Sequence, residues 1–180
     1  MEKLEDFYAV ASYDGVVKKA TAAIWILLIA ESLLFVYLFS IEKPISSLSI
    51  VLTVFMPTIS IIVLTVPYLY TPKGFRFTTQ GLGIERIRNT IIIPYNQIST
   101  IQKGKWTWKA ARLGGSGGLY GYLGFYHLFG IGKVWMYVTN RHKMLLLETK
   151  NGVKYAFSPE DPEDFVAQLQ KKIATTFPEF

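Results

Sequence analysis

The chain has no cysteine and only two histidines, His127 and His142. Without thiols there is no disulfide framework, no cysteine-type zinc site and no thiol nucleophile. The two histidines have no acid cluster near them in sequence, so they read as surface or loop residues and not as a metal set. No Gly-Lys-Ser or Gly-Lys-Thr step occurs, since Gly132-Lys133 is followed by Val134. The glycine-rich stretch around Gly115 to Leu119 fails the dinucleotide fingerprint at its last position and lies between strand patterns instead of opening a helix. Glu160, Asp161, Glu163 and Asp164 fall where an amphipathic helix pattern begins, which explains them as caps and dipole partners and not as paired hydrolytic carboxylates. The chain therefore reads as non-enzymatic, with no metal and no cofactor.

Charge is also scarce, at 18% of residues, and its scarcity is localised. Residues 20–39 carry one charge, Glu31, and residues 45–70 carry none. A helix needs about 20 apolar residues to cross ~30 Å of hydrocarbon. Both runs meet that length without the polar stripe of a surface helix, and residues 20–70 read as a transmembrane helical hairpin. The N-terminus is not positively charged and a second span follows at once, so neither run has the form of a cleaved signal peptide. Lys18 and Lys19 precede the first run and Lys73 and Arg76 follow the second, while the turn between them offers only Lys43 beside Glu42. The positive-inside rule then puts both termini, and whatever follows residue 70, in the cytoplasm.

Inside the hairpin Glu31 is costly, at ~3 kcal/mol for an acid in mid-span. Counting from the turn places it level with Thr53, whose carbonyl Pro57 frees from the helical ladder. A protonated Glu31 donating there would act as glue between helices or protomers. The rival reading is a proton-relay or ion-path residue in a transport or proton-handling complex, with the remaining chain as its regulatory part.

Residues 1–19 place Leu4, Phe7, Tyr8 and Ala11 at helix-like spacing before Asp14-Gly15, which reads as a short amphipathic segment ending in a turn. After residue 70 the period changes to that of strands. Seven are expected: around Phe75–Phe77, Ile84–Arg88, Thr90–Tyr95, Ile98–Gln102, Val134–Thr139, Met144–Thr149 and Lys154–Ser158. Gly81 is expected at a positive-φ turn position, Pro94 marks an edge or bend, and Asn151-Gly152 is the strongest hairpin signal. The strand pairs 134–139 and 144–149 flank Asn140 to Lys143. A final helix begins at Ser158-Pro159 or Asp161-Pro162, with Phe165, Val166, Leu169 and Ile173 as its apolar stripe.

From residue 71 to residue 154 there are thirteen Lys or Arg against Glu85 and Glu148, a net of +11, whereas the last 26 residues carry −3. Within the basic part, Lys103, Lys105, Lys109 and Arg112 interleave with Trp106 and Trp108. Such a pattern suits rings dipping into a membrane interface while cations meet lipid phosphates. Single-stranded nucleic acid is the competing ligand, disfavoured here by the membrane tether, and a third reading makes the tryptophans core with the lysines pointing outward.

Gly114 to Tyr122, Tyr137-Val138-Thr139-Asn140, Leu145 to Thr149 with Asn151-Gly152, and Tyr155-Ala156-Phe157-Ser158-Pro159-Glu160-Asp161-Pro162 before Phe165 resemble the bacterial pleckstrin-homology-like domains. The likeness covers about residues 75–173. It implies a curved antiparallel barrel or sandwich closed by the last helix, acting as a binding or assembly module without catalytic activity. The expected whole is an α+β protein: an N-terminal segment (1–19), a two-span hairpin (20–70) and a cytoplasmic PH-like domain (71–180). It would dock on anionic lipid, a protein partner or a second copy, and not on nucleic acid.

Overall fold

Two long helices occupy the N-terminal part of the chain, Gly15–Ile41 (α1) and Ser47–Tyr70 (α2). They belong to a computed structural model that describes residues 7–41, 46–104, 106 and 110–176. Both are long and apolar enough to cross a membrane. Of their most apolar 18-residue windows 0% and 11% is buried, which excludes a hairpin wrapped in this chain's own core. Ser46 caps α2, its hydroxyl accepting from Ser49 N–H at 3.1 Å. α1 starts five residues before the expected apolar run, because Asp14 is its N-cap: Oδ1 accepts from Val17 N–H at 2.7 Å.

The described residues form ten strands in two sheets, one strand before the helices and nine after them. The first sheet runs β1-β2-β3-β4, from Tyr8–Val10 (β1), Pro72–Phe77 (β2), Gly81–Arg86 (β3) and Thr90–Pro94 (β4). The second has the order β5-β9-β10-β8-β7-β6. Its strands are Ile98–Lys103 (β5), Ala110–Gly117 (β6), Tyr122–Leu128 (β7), Gly132–Val138 (β8), Leu145–Thr149 (β9) and Lys154–Phe157 (β10). The sheets form a sandwich with no closed barrel, and the final helix, Pro162–Thr176 (α3), covers it.

All seven expected strands form, and β1, β6 and β7 are additional. The N-terminal stretch departs from a helix over Tyr8–Val10, which pairs antiparallel with β2. Its other side reaches the connection from β10 to α3, where Glu160 N–H donates to Val10 C=O at 2.9 Å. Strand pairing satisfies more of this segment's backbone than one isolated helical turn would. β8 and β9 are not partners either: β10 lies between them, parallel to β8 and antiparallel to β9. The Asn151-Gly152 hairpin forms as expected, with Thr149 N–H donating to Val153 C=O at 2.9 Å. Gly81 does not take a positive φ; its glycine is required because a Cβ would stand 2.2 Å from the Ile93 carbonyl oxygen.

Apolar residues of both sheets and α3 meet in one core, in which Phe75, Leu82, Ile84, Leu147, Phe157, Phe165 and Leu169 are fully buried. Phe165 contacts the rings of Phe75, Phe77 and Phe157 at 5.1–6.0 Å between centroids. Asp161 caps α3, accepting from Glu163 and Asp164 N–H groups at 3.1 and 3.0 Å, and Pro162 takes the first helical position. The opposite face of the second sheet carries Tyr126, Val134, Met136 and Leu146 beneath Trp106.

Candidate functional site

A buried polar network ties the start of α1 to the sandwich. Asp14 Oδ2 accepts from both the backbone N–H and Nε of Arg141 at 3.2 Å, and Asp14 N–H donates to Thr139 C=O at 3.0 Å. Thr139 Oγ1 donates to Ser12 C=O at 2.5 Å, and Asn140 Nδ2 donates to Ser12 Oγ at 2.9 Å. Fully buried Ser158 accepts from the N–H groups of Thr139 and Asn140 at 2.9 and 3.1 Å. Burial pushes the Asp14 carboxyl up, yet the N–H bonds from Val17 and Arg141 and the guanidinium outweigh it and hold its pKa below the ordinary value. Arg141 in turn lies over Tyr122 and Trp106, 5.5 and 6.0 Å from their centroids. In the sequence Asp14-Gly15 and Asn140 to Lys143 read as turns, and Ser158 as one of two candidate starts of the final helix. The available signal was an acid directly before a long helix.

A second junction lies between the helices. The turn joining β6 to β7 presents Tyr120, at φ +57°, whose N–H donates to Thr21 Oγ1 at 2.9 Å. Tyr120 OH accepts from Trp25 Nε1 at 2.9 Å, and its ring meets Tyr68 at 5.3 Å. Trp25 of α1 and Tyr68 of α2 therefore stand at one level, where the domain ends and the exposed apolar stretches begin. α2 enters β2 without a linker, and Arg88 N–H donates to Leu69 C=O at 3.0 Å. The Arg88 guanidinium bonds the Tyr70 hydroxyl.

The glycine-rich stretch expected as a loop or tight bends is the β6–β7 hairpin. Gly115 and Gly124 pair at φ +114° and +110°, and a Cβ on Gly115 would stand 1.9 Å from the Leu123 carbonyl oxygen. Only glycine permits that approach. The hairpin forms one wall of a cavity of about 540 Å³, whose other walls are the end of α2, β3 and β8.

The sequence-derived site residues are dispersed. Lys103 ends β5, one edge of the second sheet, and is paired with Glu163 at 2.6 Å. Arg112 is exposed on β6, the opposite edge. Trp106 is half-buried, 4.4 Å from Tyr122, which is the core-side position among the readings open for it. Lys105, Trp108 and Lys109 lie outside the described residues. Glu31 and Thr53 are both half-buried, and the expected bond from Glu31 to Thr53 is not made; Glu31 has no hydrogen-bond or ion-pair partner among the described residues.

The fold is a helix-covered sandwich, and its described residues hold no metal-ligand cluster. The family model described as bacterial PH domain matches residues 73–173, more than half of the chain, and the chain belongs to that family. No curated protein and no solved structure matches it at a significant level. Family membership points to a binding or assembly module, and PH-like domains are generally non-catalytic.

Proposed function

We propose that the protein is a two-span membrane protein whose PH-like domain, with both termini, lies on the cytoplasmic side and docks against the anionic leaflet as a non-catalytic module. The observation that carries this reading is the pair of junctions. The Asp14–Arg141 network and the Trp25–Tyr120–Tyr68 cluster join both apolar helices directly to the sandwich, so the domain has no slack with which to leave the bilayer surface. Lys18 and Lys19 stand on α1, Lys73 on β2, Arg86 at the end of β3, and Arg88 in the bend after it, bonded to Leu69 of α2. Each basic group close to an anionic surface contributes on the order of 1 kcal/mol.

The segment 103–112 reads the same surface. Its Trp106 stands beside Arg141, the residue that holds the cap of α1. Lys103 is partly neutralised by Glu163, so the reading is tested at Lys105 and Lys109.

Hydrogen exchange of the full chain in lipid nanodiscs tests the reading at roughly physiological salt, where the Debye length is ~8 Å. Peptides covering 103–112 are expected to exchange more slowly in discs containing phosphatidylglycerol than in phosphatidylcholine alone, and charge reversal at Lys105 and Lys109 is expected to erase the difference. Identical exchange in the two lipids would refute leaflet docking and turn the search to protein partners.

A further inference from the structure

The cavity of about 540 Å³ beside α2 belongs to neither the 103–112 segment nor the Asp14 network. It lies between Val66, Pro67 and Tyr70 of α2 and the hairpin β6–β7. Its size falls within the about 300–1,000 Å³ usual for small-ligand pockets. We propose that it binds one anionic glycerophospholipid, with the phosphate against Arg86, which lines the cavity beside the Arg88-bonded Tyr70, and the upper acyl chain against Phe125 and Trp135. The proposal rests on the membrane-hairpin reading above, because that reading sets the depth of the site.

Three observations point to this occupant. The first is depth: Val66 and Pro67 flank the level of Tyr68, which contacts Tyr120 beside Trp25, so the cavity sits where aromatic side chains mark the boundary between headgroup and hydrocarbon. A water-soluble ligand would have to reach it along the bilayer surface, whereas a lipid is already there.

The second is charge. Arg86 and Arg88 have no acidic partner among the described residues. Arg86 spends Nε and Nη2 on Asn89, leaving Nη1 without a hydrogen bond, and its guanidinium lies 5.4 and 5.5 Å from the ring centroids of Tyr70 and Tyr137. A guanidinium fixed by aromatic faces with donors to spare fits one phosphate.

The third is the apolar wall. Trp135 is 41% exposed and stacks on Phe125 at 4.9 Å between centroids, an aromatic pair left uncovered on a strand whose next residues are buried. The glycines of β6 and β7 keep the adjoining wall free of side chains, which leaves room for a chain lying across it.

The test is tryptophan quenching in the full chain, reconstituted into phosphatidylcholine vesicles that contain acyl-brominated phosphatidylglycerol or acyl-brominated phosphatidylcholine. Subtracting Trp25→Phe isolates the signal of Trp25, and subtracting Trp135→Phe isolates that of Trp135. Quenching of Trp25 by both lipids is expected from membrane insertion alone. Trp135 is expected to be quenched preferentially by the phosphatidylglycerol. Arg86→Gln should lower that preference about tenfold, equivalent to ~1.4 kcal/mol. Val66→Phe, which adds bulk at an exposed α2 position, should reduce Trp135 quenching by either lipid. Trp25 quenched with Trp135 silent, or Trp135 quenched equally by both lipids, would overturn the pocket and leave the hairpin standing. Absence of Trp25 quenching would overturn the hairpin and the pocket together.

Discussion

Removing the Asp14 carboxylate should loosen the first helix from the sandwich by a calculable amount. Asp14 is 6% exposed and serves as both the cap of α1 and the counter-ion of Arg141. Asp14→Ala loses the cap, about 1 kcal/mol. It also strands a mostly buried guanidinium, and breaking such a pair costs about 3–5 kcal/mol when burial is complete. Arg141 retains some exposure, together with its contacts to Tyr122 and Trp106, so the combined loss should be about 2–4 kcal/mol. For a chain of this size that lowers Tm by roughly 5–15 °C, read by thermal unfolding of the full chain in detergent. Asp14→Asn retains a capping oxygen and should lose about 1 kcal/mol less than alanine. Arg141→Gln combined with Asp14→Ala should cost at least about 1 kcal/mol less than the sum of the single variants. Additive single effects, or an asparagine variant no better than alanine, would refute the assignment of cap and ion pair to one carboxylate.

The same carboxylate gives a pH dependence with a definite sign. Its folded pKa lies below the ordinary 3.8, so the folded state favours the ionised form. The stabilisation is complete above that ordinary value and disappears as pH falls through the lower folded value, so the penalty of Asp14→Asn should shrink in acid. Phe165→Ala should cost about 3–5 kcal/mol, measured as loss of Tm, because its fully buried ring touches four others. Gly115→Ala should reduce the yield of folded protein, since its Cβ collides with the Leu123 carbonyl; Gly114→Ala, which meets nothing within 4 Å, should be nearly silent by the same assay. Trp25→Phe should cost about 1 kcal/mol through the bond lost to Tyr120, seen as a small fall in Tm.

Where local pattern and tertiary structure agree, the fold was legible in the sequence. The two apolar runs, the strands with β-branched alternation, the Asn151-Gly152 hairpin and the Asp161-Pro162 start of α3 each carry their own signal and formed as expected. β6 and β7 were hidden because Gly114, Gly115, Gly117 and Gly124 interrupt the two-residue period that announces a strand. Their pairing is visible only once two backbones are seen to need the space. β1 was hidden for another reason: three residues cannot display a period, and its partner β2 lies some sixty positions away.

The site was less legible than the fold. Lys103 and Arg112 are near in sequence but belong to opposite edges of a six-stranded sheet, because β9, β10, β8 and β7 lie between their strands. The residues that meet at the helix junction, Asp14, Ser12, Thr139, Arg141 and Ser158, come from three separated segments, and each alone looks like an ordinary turn or cap. Arg86 and Trp135 likewise line one cavity although they stand on β3 and β8, strands of different sheets.

The central claim is that α1 and α2 cross the bilayer and hold the sandwich at one face of it. Because the chain has no cysteine, a single introduced thiol is unique. Labelling Ser46→Cys and Asn151→Cys with a membrane-impermeant maleimide, in intact bacterial cells and in inverted membrane vesicles, tests the claim directly. Ser46→Cys should react from outside intact cells and Asn151→Cys only in inverted vesicles. Reaction of both from the same side would contradict the account.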